Sequence, residues 1–205
     1  MNASDTATMI WLIKVSAYAL VVFAQYRMIR RVATGRMKAV VLSWLGWALL
    51  MGISVVAQLR SNGWAWDWNV FSVLLSATGC LLIGITGLWS GNFSRGKGDV
   101  LCLLAGLACM GIYLLYSDPW ITTVLAILAD LLVAIPMLQR TYSDPASHKT
   151  DAWPIVLLAW TLTATSITFN FSWLPMLWPI YLIGFSGLMT YLTFLRPKQG
   201  ARLAH

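Results

Sequence analysis

Apolar residues run through the chain in long, nearly uninterrupted blocks, separated by short polar clusters. A helix needs about 20 apolar residues to cross roughly 30 Å of hydrocarbon. Seven blocks meet or approach that length: Thr6–Tyr26, Ala39–Gln58, Val70–Trp89, Val100–Tyr116, Trp120–Leu138, Ala152–Asn170 and Leu174–Leu195. The pattern predicts an all-α polytopic membrane protein, one transmembrane domain over residues 1–205 with seven helices. Only Ser117-Asp118-Pro119 separates the short fourth block from the fifth. Asp-Pro is a turn signal, so these two helices are expected to form a tight antiparallel hairpin.

Composition narrows the class. Hydrophobic residues make up 59% of the chain and charged residues 10%, against roughly 25% charged in an average soluble protein. Mean hydropathy is +0.73. These values exclude a disordered chain, a nucleic-acid reader and an ordinary cytosolic enzyme. Cys80, Cys102 and Cys109 sit in apolar runs without a CxxC pair or a neighbouring histidine, so neither disulfide nor metal site is expected. His148 and His205 fall outside the apolar blocks, no carboxylates cluster, and the seventh block has no lysine for a Schiff base. An enzyme is not expected, and no cofactor is implied.

The charges are skewed: 14 Lys+Arg against 7 acids, all of them Asp. The first connection carries Arg27, Arg30, Arg31, Arg36 and Lys38; the third Arg95 and Lys97; the fifth Arg140 and Lys149; the tail Arg196, Lys198 and Arg202. Opposite them lie Asp5, Asp67 and Asp118, with Arg60 as the one base of those loops. Asp99, Asp144 and Asp151 fall on the basic side, where acids count for little. The positive-inside rule places the N-terminus outside and the C-terminus in the cytoplasm, with the bacterial inner membrane the expected location. Asp5 and the lack of a base before the first apolar run argue against a cleaved signal peptide. Trp64, Trp66, Trp68, Trp120, Trp173 and Trp178 read as an interfacial belt at the outer face.

The chain also matches itself. Leu82-Ile83-Gly84-Ile85-Thr86-Gly87-Leu88 aligns with Leu182-Ile183-Gly184-Phe185-Ser186-Gly187-Leu188. Leu45-Gly46-Trp47 aligns with Leu158-Ala159-Trp160, and the run ending Gln25-Tyr26-Arg27 with the run ending Leu138-Gln139-Arg140. The three anchors keep their order, so helices one to three (6–89) are expected to repeat as five to seven (120–195), with helix four (100–116) as linker. Three helices plus a linker is an even number of crossings, so the two repeats are expected to be parallel, related by an axis along the membrane normal.

With these features the chain resembles the SWEET, PQ-loop and KDEL-receptor superfamily of 3+1+3 membrane proteins, over nearly its whole length. The family's Pro-Gln pair is divided between the repeats: Ala24-Gln25 keeps Gln and Pro136-Met137 keeps Pro. Pro136 and Pro154 match two of the four hinge prolines of SWEET-type members. The resemblance implies a substrate held at mid-depth between the repeats by tryptophan faces and hydrogen-bonding side chains. It also implies proton coupling in some members, and hinge roles for Pro136 and Gln25.

Charges inside the membrane cost roughly 2.5–3.5 kcal/mol each on insertion scales and mark function by default. Asp130 lies near the middle of helix five and Lys14 in the outer half of helix one. Ala126 and Ala134 flank Asp130 one turn away on each side, with Thr123 further out, the pattern of an interior face. At about 1.5 Å per residue both charges lie roughly 12–15 Å deep. The equivalent helices then allow an ion pair, structural or proton-coupling. Trp47, Trp160, Ser54, Ser76, Thr86, Thr163, Ser186 and Asn170 are the expected substrate lining. The expected function is a small-solute carrier, uniport or proton-coupled, for a small polar solute. The alternative is a non-transporting receptor or accessory subunit that uses the same fold against a partner membrane protein or a second copy. The bilayer is a partner in either case; nucleic acid is not.

Overall fold

A computed structural model describes residues 3–61, 63–66, 68–116, 118–169, 171 and 173–195. Asp67, Ser117, Asn170, Arg196, Lys198, Arg202 and His205 lie outside the described residues. The chain is an all-α membrane protein. Its helices are α1 (Ala3–Ala33), α2 (Val41–Ser61), α3 (Trp68–Ser90), α4 (Lys97–Tyr113), α5 (Pro119–Ser143), α6 (Ala152–Thr168) and α7 (Trp173–Thr190). A 3-10 turn over Pro145–His148 precedes α6, and a π-helical turn over Tyr191–Leu195 continues α7. Five helices (α1, α2, α3, α5 and α7) are long and apolar enough to cross a membrane; α4 and α6 are apolar but shorter, at 17 residues each.

Helix ends differ from the apolar blocks in an instructive way. α1 runs seven residues past Tyr26 and α5 five past Leu138. Arg27, Arg30, Arg31 and Arg140 therefore ride on helices instead of in loops. Bases suit a helix C-terminus, where the macrodipole is negative, and the long arginine stems carry charge outward while their methylenes cover apolar surface. At the other end Asp118 caps α5 by accepting from the Trp120 and Ile121 backbone N–H groups, with Pro119 in the first turn. The Asp-Pro signal is a helix start as much as a turn.

The loops after α1, α3 and α5 meet at one end. Lys38 N–H donates to Ser147 O at 2.9 Å, and Ala39 N–H to Asn92 O at 2.9 Å. Two-residue strands β1 (Ala39–Val40) and β2 (Phe93–Ser94) pair in parallel. Arg140 Nη1 donates to Ser94 O at 2.7 Å and its Nη2 pairs with Asp99. Asp99 also accepts from the Gly96 N–H at the start of α4. This is the base-rich end. If the positive-inside assignment holds, topology reporters fused after Arg36 and after Trp66 report cytoplasm and exterior respectively; the same side for both sinks the assignment.

In the bundle α3 packs against both α1 and α2, and α7 against both α5 and α6. Across the middle α1 packs on α6 and α2 on α5, while α4 lies on α5 and α2. Close approach is set by glycine at two points. A Cβ on Gly79 of α3 would stand 2.1 Å from the Gln25 side chain of α1, and one on Gly106 of α4 would stand 3.0 Å from the Ala129 carbonyl of α5. The two copies of the Leu-Ile-Gly sequence sit differently: Gly84 is buried against Leu45 and Trp44, whereas Gly184 is exposed with open space beside it.

Candidate functional site

Helix α5 keeps its predicted interior stripe: Ala126, Asp130 and Ala134 are all buried. Pro136 interrupts the hydrogen-bond ladder below them, since its nitrogen has no hydrogen for the carbonyl one turn back. α2 docks on this weakened stretch. Ser43 Oγ donates to Val133 O at 2.7 Å, and Trp47 Nε1 to Asp130 O at 3.3 Å. Ser43 and Trp47 are four residues apart, so they stand on one face of α2 and reach two carbonyls of α5 three residues apart.

The Asp130 carboxylate has a partner from another helix. Tyr181 Oη of α7 donates to Asp130 Oδ2 at 2.6 Å. Cys80 of α3 is buried within electrostatic range of the same charge. Four helices thus meet at mid-depth around one carboxylate, with Trp47 and Cys80 from the first half and Asp130 and Tyr181 from the second. The expected Lys14 partner is corrected to Tyr181. Lys14 is exposed on α1, and among the described residues it forms no ion pair. A long amine stem near the outer end of a helix reaches headgroups or water at little cost, whereas a short carboxylate eleven residues into α5 must be satisfied locally.

Toward the basic end the centre is filled with aromatic rings. Trp44 contacts Trp47 edge to face at 5.1 Å, Trp47 contacts Phe185 at 5.7 Å, Phe185 contacts Trp153 at 5.9 Å, and Trp153 stacks with Trp44 at 6.4 Å. The four form a closed ring from α2, α6 and α7. The buried indole N–H groups of Trp44 and Trp153 have no acceptor among the described residues. A buried donor left so costs about 1–3 kcal/mol.

Below the rings, charge ties the two halves together. Arg27 and Arg31 of α1 both pair with Asp151 at the start of α6. Partial burial works to raise the Asp151 carboxyl, but the Arg27 hydrogen bond and the charges of Arg27 and Arg31 outweigh it and hold it below the ordinary carboxylate range. Nearby His148 is buried, and desolvation lowers it to about 4, with Asp144 opposing and the bases Arg140 and Lys38 assisting. It is neutral at pH 7.

The remaining expected site residues divide. Trp47 lies in the aromatic ring, but Trp160 is half-buried and outside it among the described residues. Ser54, Thr163 and Ser186 each donate to a carbonyl four residues back on their own helix. Thr161 and Thr165 do the same, so the hydroxyl-rich face of α6 is satisfied by its own backbone. Ser76 offers its backbone carbonyl to Gln25 Nε2 at 3.1 Å, and Thr86 is half-buried on α3. Gln25 therefore ties α1 to α3 in the space left by Gly79; the contact is one of packing. Pro154 is exposed at the start of α6. Sequence reasoning missed Ser43, Tyr181 and Trp153. The four-residue spacing of Ser43 and Trp47 was a usable signal; Tyr181 and Trp153 had none. No known protein family, characterised protein or solved structure matches the chain.

Proposed function

We propose that the chain is a small-solute carrier built from two parallel three-helix repeats around a linker helix, with seven crossings, and that Asp130 couples its cycle to protons. The observation that carries this reading is a buried carboxylate midway along α5, held by the Tyr181 hydroxyl with Trp47 beside it, where helices of both halves converge. Intramembrane acids on interior faces mark ion and proton pathways more than they serve as structure. The packing order supports the repeat: exchanging the halves maps the α1–α6 contact onto α5–α2, and α3 between its neighbours onto α7 between its own. The spacing from Arg27 to Arg140 equals that from Leu45 to Leu158. In that register, one residue out of step with the pairing of Ala24-Gln25 and Pro136-Met137, buried Ala17, Ala24 and Met28 fall on buried Asp130, Met137 and Thr141.

The cycle follows from which end is closed. The aromatic ring, the Arg27–Asp151 and Arg31–Asp151 pairs and the β1–β2 strap seal the basic end in this state. Asp130, Trp44 and Trp153 are all buried here, so the halves must part on the opposite side before a solute meets Asp130 and, deeper in, the two indole donors. An uncharged polar solute fits aromatic faces and lone donors. The test is reconstitution of the purified chain in liposomes with a pH gradient and an internal pH dye. A carrier gives dye responses to particular neutral solutes, a hexose or a zwitterionic amino acid among them, that empty liposomes lack. Silence toward all of them, with the protein folded, favours the receptor or subunit reading.

A further inference from the structure

α1 is longer than a membrane is thick. Its 31 residues measure about 46 Å at 1.5 Å per residue, against roughly 30 Å of hydrocarbon. Its last turns therefore stand at headgroup level. There Arg27, Arg30, Arg31, Thr34 and Arg36 line an open cleft of about 200 Å³. Asp151 engages Arg27 and Arg31; among the described residues no acid pairs with Arg30 or Arg36. The cleft wall is held by backbone. Gly35, at φ +72°, turns the chain, and the Arg36 N–H donates to Arg31 O at 2.9 Å. The Thr34 hydroxyl donates to Arg30 O. One turn toward the membrane centre, Val22, Phe23 and Tyr26 are exposed, and the Arg27 guanidinium sits 5.9 Å from the Phe23 ring.

We propose that this cleft binds the phosphate of an anionic phospholipid, with Arg30 and Arg36 as its direct ligands and Phe23 and Tyr26 as the wall along which an acyl chain lies. Guanidinium forks match phosphate oxygens two at a time. The helix C-terminus itself repels an anion, so the site depends on the arginine excess. Charge sorting during insertion does not explain the shape. It needs bases somewhere in the short loop, as Arg95 supplies in the next one, and not guanidinium groups converging on one concavity. A soluble phosphate shares the chemistry of the head, but the apolar wall directly below the cleft selects a lipid.

The experiment is lipid retention by the full chain, read by native mass spectrometry, with phosphatidylglycerol competing against phosphatidylcholine. The wild-type chain retains phosphatidylglycerol on the order of tenfold better. Arg30→Gln with Arg36→Gln brings the ratio close to one, and Arg95→Gln leaves it unchanged. Arg30→Lys with Arg36→Lys keeps the charge and the insertion signal but loses the forks, and falls between. Each variant is first checked for a wild-type thermal melt; the lysine pair keeps the test decisive if the glutamine pair misfolds. No wild-type preference, a preference that survives both double variants, or an equal loss in Arg95→Gln overturns the proposal. Displacement of phosphatidylglycerol by excess inorganic phosphate alone assigns the cleft to a soluble anion and overturns the lipid assignment.

Discussion

Asp130→Asn is expected to fold, to move solute, and to lose the response to a pH gradient. The amide has the shape of the carboxylate, and its oxygen still accepts from Tyr181 Oη, which stands 2.6 Å away. Only titration is removed. A gradient of one pH unit is worth about 1.4 kcal/mol, so a carrier coupled to one proton accumulates its solute about tenfold. The variant equilibrates it instead, and the accumulation ratio falls to about one. Accumulation that persists in Asp130→Asn would falsify the coupling role. Tyr181→Phe separates coupling from folding. It removes the Tyr181 donor, leaving Trp47 beside the carboxylate, and is expected to destabilise the fold by about 1–3 kcal/mol, seen as a lower thermal midpoint. If Asp130→Asn also lowers the midpoint and Tyr181→Phe does not deepen the loss, the carboxylate serves structure.

Asp151→Lys is expected to open the basic end. Arg27, Arg31 and Asp151 are each about one-third exposed or somewhat more, so solvent discounts their pairing. Exposed pairs are worth roughly 0.2–1 kcal/mol each. Reversing the acid turns two attractions into two repulsions, a swing of about 1–3 kcal/mol, or about fivefold to a hundredfold in the open population. Cys80 reports it, because it is buried beside Asp130 and beyond the aromatic ring. In a Cys102→Ala, Cys109→Ala background, a water-soluble maleimide is expected to label Cys80 about tenfold faster in Asp151→Lys. Arg27→Asp combined with Asp151→Arg restores one pair and slows labelling again. Unchanged labelling after charge reversal shows that the rings alone hold this end shut. In the native chain the Asp151 carboxyl is held below the ordinary carboxylate range, so the latch stays charged at neutral and mildly acidic pH. Its contribution is lost only as pH falls below that range.

Much of the bundle was legible because lipid imposes simple rules. Block length gave the helices, loop bases gave the shared end, and the cost of an intramembrane charge singled out Asp130. The errors have common causes. Apolar blocks end where apolar residues stop, but a helix continues into the headgroup layer as long as its side chains reach water, as Arg30 and Arg31 do on α1. The Lys14–Asp130 pairing rests on depth and on the equivalence of helices one and five; neither fixes which side chain reaches the carboxylate, and Tyr181 arrives from α7. Thr163 on the hydroxyl-rich α6 is expected in the solute lining because it is polar. Spacing of the α6 hydroxyls from the carbonyls one turn back predicts instead that they satisfy themselves, which Thr161, Thr163 and Thr165 do. Asp99 and Asp151 had no sequence partner at all, because Arg140 and Arg27 lie 41 and 124 residues away.

That last separation bears on how the chain is made. Ribosomes add about 5–20 residues per second, so the 124 residues between Arg27 and Asp151 take about 6–25 s to emerge. Throughout that interval the guanidinium groups of Arg27 and Arg31 meet the insertion machinery without the acid they later pair with. They act as full topogenic charges while the first helices choose their direction. Asp151 then arrives and converts the same side chains into a clasp between α1 and α6. A nascent chain halted before Asp151 carries the orientation signal without the clasp. Timing along the message thus leaves this pair of arginines free as topogenic charges first and holds α1 to α6 with them afterwards.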